Sequence, residues 1–265
     1  MNTFYEMWGA ETPIEVKNII ESQKFKGTPK NLEEQALSMV GRDIYEALVQ
    51  GYTEKQWGKK AKELPTFLIK RLPLRFIYDN NYFNDRYQGV PIGGFTQMFE
   101  KMLDGIEVKL NQNYFEQKDH YDSIADKVVY TGCIDEFFDY KYGELGYRSL
   151  RFETGVIEME NYQGCAVINQ CDHSEEYTRT VEHKHFEKVK TDHTVITREY
   201  PVEYKRGMTP YYPINCKENT EMYEKYKKES KTLTNFIFGG RLAEYKYMDM
   251  HIVIESAMNK FRSSQ

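Results

Sequence analysis

The chain has 265 residues, of which 40% are hydrophobic and 29% charged, with a formal net charge of −5. This length allows one large domain or two to three small ones. The excess of acidic residues argues against a nucleic-acid-binding protein, whose affinity would depend on a basic surface. No apolar run approaches the ~18–20 residues that cross a bilayer. The first eight residues also lack the basic and then apolar pattern of a secretory signal.

The cysteines and histidines predict no metal site. The four cysteines form no C-x-x-C pair and do not resemble a disulfide framework, which favours a reducing cytoplasm. His183 and His185 form an H-x-H pair, and on a strand both imidazoles would point to one face, as in some metal sites. A third ligand at a suitable spacing is missing from the sequence.

The 22 tyrosines outnumber the 15 phenylalanines. They are explained either by an aromatic-rich core or by a cleft that stacks rings and hydrogen-bonds sugars or phosphates. Composition leaves both explanations open.

The first third of the chain has helical start and stop signals. Thr12–Glu15 has the pattern of a capping box with a proline in the first turn. Asn31 begins a second predicted helix, which Gly41 ends. A third short helix is predicted to end near Gly51. Residues 1–62 are therefore predicted to form a helical bundle.

The rest of the chain mixes extended and helical patterns. Strands are predicted over 71–78, 106–110, 127–132 and 235–238, and repeatedly within 144–213. Helices are predicted from Phe95, over 217–231 and over 250–261. Helices that alternate with strands, with glycine at a strand end, are typical of an α/β layer that binds ligands at the carboxyl ends of its strands.

Residues Gly239–Arg241 follow an apolar strand, and Asp249 begins a helix. Glycine lets a cofactor approach the backbone closely, and arginine can bind a phosphate bidentately. A helix N-terminus favours an anion. This pattern alone is a weak signal, because glycine pairs often simply end strands.

An ordered series of motifs along the chain resembles the UDP-galactopyranose mutase family. The motifs are GYTEKQW (51–57), RLP (71–73), YFND (82–85), GYRSL (146–150), YTR (177–179), REY (198–200), PYYPIN (210–215), FGGRL (238–242) and YMDM (247–250). The similarity covers essentially the whole chain. It implies an isomerase, a flavoenzyme that interconverts UDP-galactopyranose and UDP-galactofuranose and supplies galactofuranose for cell-surface glycans.

The resemblance also implies an architecture. It predicts a mixed α/β chain with a discontinuous three-part organisation: a helical bundle (1–62), a mostly antiparallel sheet (63–90 and 143–213) and the carboxyl-side part of a Rossmann-like FAD domain (91–142 and 214–265). Family members begin with a flavin-binding strand–turn–helix that carries a G-x-G-x-x-G/A loop. This chain has no such loop, so we interpret it as a fragment. A separate N-terminal fragment and a homodimer are the expected partners, besides UDP-galactose.

The resemblance assigns roles to individual residues. In the family reaction N5 of reduced FAD attacks the anomeric carbon and UDP leaves. Arg71 and Arg179 match the family's two diphosphate-binding arginines and are the predicted catalytic residues. Substrate contacts are implied for Leu48, Val49, Tyr52, Thr53, Trp57, Arg71, Tyr82, Asn169, Arg179, Tyr212, Tyr247 and Asp249. Cofactor contacts are implied for Gly240, Arg241, Asp249 and Met250, and electrostatic support for Arg148 and Glu199.

Two other functions are compatible with the sequence. A truncated, non-catalytic protein would bind UDP-sugar without flavin. An amine-oxidase-like flavoprotein would have little need for a pair of arginines that bind a diphosphate.

Overall fold

The computed structural model describes residues 1–69, 74–79 and 84–264. The chain divides into two compact units. Unit 1 comprises Met1–Met102 and Arg151–Pro201, and unit 2 comprises Leu103–Leu150 and Val202–Gln265. Helices and an antiparallel sheet are both present, which confirms the predicted mixed α/β class.

The α-helices are α1 (Asn2–Trp8), α2 (Pro13–Gln23), α3 (Leu32–Val40), α4 (Arg42–Ile44), α5 (Gly51–Trp57), α6 (Phe95–Met102), α7 (Lys118–Ile124), α8 (Ile134–Phe137), α9 (Lys184–Glu187), α10 (Lys217–Ser230), α11 (Gly240–Ala243) and α12 (Met250–Ser263). A π-helix spans Tyr45–Gln50, and short 3-10 helices span Ala61–Glu63, Thr66–Leu68 and Tyr114–Gln117. The strands are β1 (Val128–Tyr130), β2 (Tyr147–Ile157), β3 (Val167–Asn169), β4 (Arg179–Glu182), β5 (Thr194–Glu203), β6 (Tyr212–Pro213) and β7 (Phe236–Phe238). Within the described residues, no helix is both long and apolar enough to span a bilayer.

Helices α2 and α3 begin where the sequence predicts them. The Thr12 hydroxyl accepts a hydrogen bond from the Glu15 amide, and the Glu15 carboxylate accepts one from the Thr12 amide, so the capping box is formed. The Asn31 side chain caps α3, and Gly41 ends that helix with φ 78°. The apolar faces of these helices share one core, which includes Val16, Ile20, Leu32, Ala36, Val40 and Tyr45.

The predicted helix end near Gly51 is wrong. Gly51 has ordinary helical angles, φ −63° and ψ −43°, and the π-helix runs through it directly into α5. A Cβ atom here would lie closer to the Cys171 carbonyl oxygen than the 3.0 Å that real Cβ contacts keep. Gly51 therefore permits a close backbone approach and does not end the helix. As a result, α5 carries Tyr52, Thr53 and Trp57.

The antiparallel sheet of unit 1 has the strand order β3–β4–β5–β2. Its register places Asn169 opposite Arg179, and Arg179 opposite Glu199. In unit 2 the beginning of β2 pairs with β6, which places Arg148 opposite Tyr212.

Unit 2 also contains a two-stranded parallel sheet of β1 and β7, in which Val128 is opposite Phe236. Aromatic rings pack on it. The Phe137 ring lies 4.8 Å from that of Phe238 and 4.9 Å from that of Tyr130. A second set of buried residues in this unit includes Ile134, Leu145, Tyr147, Tyr226 and Tyr245. Three of the tyrosines are thus core residues of this unit.

Two predicted strands differ from the structure. Residues 106–110, all described, contain no strand, and Ile106, Val108 and Leu110 are exposed. Their alternation is typical of a strand, but a strand also needs a partner. In the predicted strand 71–78, residues 74–78 form loop and bend. The other three positions lie outside the described residues.

A fully buried carboxylate organises one loop of the sheet. Glu182, at the end of β4, accepts hydrogen bonds from the amides of Tyr162, Gln163 and Gly164 at 2.8–3.2 Å. The His185 ring nitrogen lies 3.1 Å from it. Burial alone would raise the pKa of Glu182, but these donors lower it to about 2.

We expect the substitution Glu182→Gln to lower the free energy of unfolding by about 2 kcal/mol at neutral pH, since charge-assisted hydrogen bonds are lost. Because the pKa falls on folding, the carboxylate stabilises the fold fully above its ordinary pKa of 4.5 and loses this effect as the pH falls towards 2. Urea denaturation between pH 7 and pH 3 tests both points. Glu158→Gln, at an exposed position of the same sheet region, is the control. Equal stability of the two variants would contradict the assignment.

Candidate functional site

A row of three polar side chains crosses the sheet of unit 1. Asn169, Arg179 and Glu199 are opposite one another on adjacent strands, so their side chains share one face. Arg179 Nε donates to Asn169 Oδ1 at 3.2 Å, and Arg179 Nη1 lies 3.4 Å from Glu199 Oε2. The side chain of Arg179 remains 32% exposed. The guanidinium is therefore held in place, while part of the Arg179 side chain faces solvent.

Helix α5 extends this row. The Tyr52 hydroxyl accepts a hydrogen bond from Arg179 Nη2 at 3.5 Å. The structure thus brings together Tyr52, Asn169 and Arg179, three of the residues that the sequence predicts to contact substrate. A guanidinium and a phenol hydroxyl side by side are suited to bind phosphate oxygens.

The other predicted residues of unit 1 have different environments. Val49 and Thr53 are buried, whereas Leu48 is 46% exposed. Trp57 packs partly buried against the helical core. Substrate contacts by these four residues remain predictions. Predicted residues Arg71 and Tyr82 lie outside the described part of the chain.

A second cluster lies in unit 2 around Arg241. Its Cζ atom lies 4.7 Å from the ring centroid of Tyr247 and 5.7 Å from that of Tyr212, and these two rings stack 6.0 Å apart. Arg241 Nη2 donates to the Tyr211 carbonyl oxygen at 2.8 Å. The Arg241 guanidinium and the two tyrosine rings therefore stabilise one another through cation–π contacts and ring stacking. Three further predicted residues thus form a second group.

Two features of this cluster fit an anionic or electron-rich cofactor. Arg241 Nε is buried and lacks a hydrogen-bond partner within the described residues, so it is a donor without an acceptor. Gly240 has φ 80°, a conformation that favours glycine, and begins α11 beside the strand end of β7. Both are among the residues for which the resemblance implies cofactor contacts.

The N-terminus of α12, also in unit 2, is a third feature that fits an anionic cofactor. Asp249 is its N-cap residue in extended conformation, and among the described residues its side chain caps none of the first-turn amides. Met250 and Tyr247 are more than half exposed. The amides of this 14-residue helix therefore form an open, partially positive end.

Arg148 is a nearly fully buried cation of unit 2. Burial lowers its pKa, and the charge of Glu203 opposes that shift. Its position opposite Tyr212 places it beside the second cluster within unit 2. This agrees with the supporting role that the resemblance implies, which remains a prediction.

The histidine pair does not have the geometry of a metal site. His183 follows β4 and His185 lies in α9, so the two imidazoles do not lie on one strand. His183 Nε2 instead lies 2.7 Å from the Thr197 hydroxyl. Within the described residues, no group of three or more His, Cys, Asp or Glu side chains could hold a metal ion.

Sequence reasoning assigned no role to Lys55, although it lies inside the GYTEKQW motif. Lys55 Nζ donates to the carbonyl oxygens of Asp172, Glu175 and Tyr177. The sequence shows that Lys55 lies one helical turn after Gly51. Its three hydrogen-bond partners, however, lie more than 115 residues away, so local spacing could not identify them.

Comparisons with known proteins agree on one family. The family model GLF, UDP-galactopyranose mutase, matches residues 47–247. The dTDP-fucopyranose mutase of Escherichia coli is 37% identical over 97% of this chain and 70% of its own length. A probable UDP-galactopyranose mutase of Klebsiella pneumoniae is 41% identical over 87% of this chain and 60% of its own length. The UDP-galactopyranose mutase of Mycoplasma pneumoniae is 32% identical over 79% of this chain and 56% of its own length.

A crystal structure of reduced UDP-galactopyranose mutase superimposes with a TM-score of 0.56 at 12% identity, covering 88% of this chain and 67% of that chain. This likeness concerns the fold. The chain spans 56–70% of the length of the three curated relatives named above. Because the family model matches well over half of the residues, the chain belongs to the UDP-galactopyranose mutase family.

Proposed function

We propose that the chain forms the nucleotide-sugar site of an enzyme that interconverts UDP-galactopyranose and UDP-galactofuranose. The observation that carries this proposal is the fixed but partly exposed guanidinium of Arg179 beside the Tyr52 hydroxyl. UDP leaves the anomeric carbon as an anion, so a cation that meets its oxygens stabilises the charge that develops. Arg71 is proposed as the second such cation.

The unit 2 cluster is proposed to hold FAD, on which the family depends. Reduced FAD supplies the nucleophile that displaces UDP from the sugar. Arg241 would donate its unpaired Nε–H to the cofactor, and Gly240 would let the backbone approach it. The open N-terminus of α12 would stabilise negative charge on the reduced ring.

Further polypeptide is proposed to complete unit 2. Parallel sheets are normally covered on both faces, and the sheet of β1 and β7 has two strands. Helix α12 exposes an apolar stripe of Met250, Ile254, Met258 and Phe261. The relatives are longer than this chain. An N-terminal segment, on the same or a separate chain, would cover these surfaces and supply the phosphate-binding loop for FAD.

A homodimer, a cytoplasmic location and a role in cell-surface glycan synthesis remain part of this proposal.

The test is turnover in the presence of FAD and dithionite, with UDP-galactofuranose as substrate and chromatography of the products. We expect UDP-galactopyranose from protein that carries flavin, as judged by its visible absorbance. Protein that holds flavin and forms no product would overturn the assignment. Colourless protein that still binds UDP would support the alternative of a non-catalytic UDP-sugar-binding protein.

A second substrate belongs in the same experiment, because the Escherichia coli relative named dTDP-fucopyranose mutase matches 97% of this chain. Fucose carries a methyl group where galactose carries a hydroxymethyl group, and thymine carries a methyl group that uracil lacks. The kcat/KM for the UDP-galactose substrate, divided by that for the dTDP-fucose substrate, decides between the two activities. A ratio below one would replace the UDP-galactopyranose assignment by a dTDP-fucopyranose assignment.

A further inference from the structure

The loop of residues 170–178 joins β3 to β4 in unit 1, and we call it the clamp loop. Asn169 precedes it directly and Arg179 follows it directly. A movement of the ends of this loop against helix α5 would therefore change the distance between Arg179 and Tyr52. The contact that holds the loop to α5 would thus affect the distance between the two groups of the proposed diphosphate site.

Lys55 makes that contact through its ammonium group. It donates hydrogen bonds to three carbonyl oxygens of the clamp loop, those of Asp172 at 2.6 Å and of Glu175 and Tyr177 at 3.0 Å. Burial lowers the pKa of Lys55, against the opposing effect of nearby acidic groups. The side chain of Lys55 therefore binds the clamp loop at three positions, residues 172, 175 and 177.

Two more contacts join the clamp loop to α5 and to the π-helix that precedes it. Cys171 Sγ donates to the Leu48 carbonyl oxygen at 3.2 Å, and the Cys171 carbonyl group lies directly over Gly51. Helix α5 and the π-helix before it approach the beginning of the clamp loop through these contacts, and α5 approaches its end through Lys55. The helix that carries Tyr52 is thereby fixed to the strand that carries Arg179.

We propose that Lys55 is a positioning residue for nucleotide binding: it fixes the clamp loop so that Arg179 and Tyr52 meet the diphosphate together. Lys55 acts through Arg179, because it holds the loop that ends directly before Arg179. This inference rests on the proposed function, because it requires that Arg179 binds the diphosphate of the substrate.

The test is a double-mutant cycle on the full chain, with UDP and dTDP binding measured by calorimetry. We expect Lys55→Met, which keeps the length of the side chain and removes its donors, to weaken UDP binding about tenfold. Lys55→Arg should restore most of the affinity. Lys62→Met, at an exposed position after the same helix, should bind as the unmodified chain does. In an Arg179→Met background, Lys55→Met should have little further effect, because the two residues act together.

A purely structural lysine would give a different pattern. Independent losses in the double variant, or unchanged UDP affinity in Lys55→Met, would overturn the positioning role. Hydrogen exchange without ligand adds a second measurement, and we expect faster exchange in residues 170–178 of Lys55→Met than in the rest of unit 1. If the unmodified chain binds neither UDP nor dTDP, the proposed function fails and the positioning role fails with it. The exchange result then shows separately whether Lys55 holds the loop.

Discussion

Replacing Arg179 by methionine is expected to lower kcat/KM for the nucleotide sugar by about two to three orders of magnitude. The sheet register and the Tyr52 hydroxyl hold this guanidinium in place, and the side chain stays partly exposed to solvent. Removing one aligned donor from a developing negative charge typically costs about 10²–10³ in kcat. Steady-state kinetics on the flavin-loaded enzyme measures the loss.

Arg179→Lys should lose less activity than Arg179→Met, because it keeps the charge but cannot form the planar, two-pronged contact. Arg179→Met also leaves Glu199 without its partner cation. The double variant Arg179→Met, Glu199→Gln separates that electrostatic penalty from the lost contact with substrate. Arg42→Met, which removes an exposed arginine paired with Glu46, is the matched control and should remain fully active. Arg179→Met with the activity of this control would contradict the proposed role.

Local signals predicted the start of α2 and both ends of α3 correctly, because caps and turns depend on neighbours within a few residues. The Thr12 capping box and the left-handed Gly41 are of this kind. The alternating residues 106–110 show the limit of this reasoning. Their pattern predicts a strand, but whether a strand forms depends on a partner that the local sequence does not reveal.

The candidate site shows the same limit more clearly. The motifs identified Asn169, Arg179 and Glu199 one by one, but only the register of three strands shows that they form one row. The register in turn depends on side chains along the whole sheet, so no single motif contains it. The role of Lys55 escaped the sequence analysis for the same reason. What the sequence could identify were chemically suitable residues, and what it could not provide was their mutual distance.

Gly51→Ala is expected to lower kcat/KM about 100-fold while it changes thermal stability only modestly. Alanine fits the helical angles of Gly51 and would gain about 1 kcal/mol in helix propensity. The new methyl group, however, would overlap the Cys171 carbonyl oxygen, which belongs to the backbone and cannot rotate away. Overpacking of this kind costs about 1–3 kcal/mol, so the gain in helix propensity offsets it in part and leaves a net loss of about 0–2 kcal/mol.

The effect on activity is not offset in this way. Relief of the overlap requires the clamp loop to move away from α5 by on the order of 1 Å, and a displacement of 1 Å at a binding group can cost about 10²-fold in rate. Gly155→Ala is the control, because a Cβ atom at that exposed position of β2 meets no other atom within 4 Å. Thermal unfolding and steady-state kinetics of both variants separate stability from positioning. If Gly51→Ala keeps full activity, the approach of the loop to the helix does not position Arg179, whereas a selective loss in kcat/KM with a nearly unchanged Tm shows that it does.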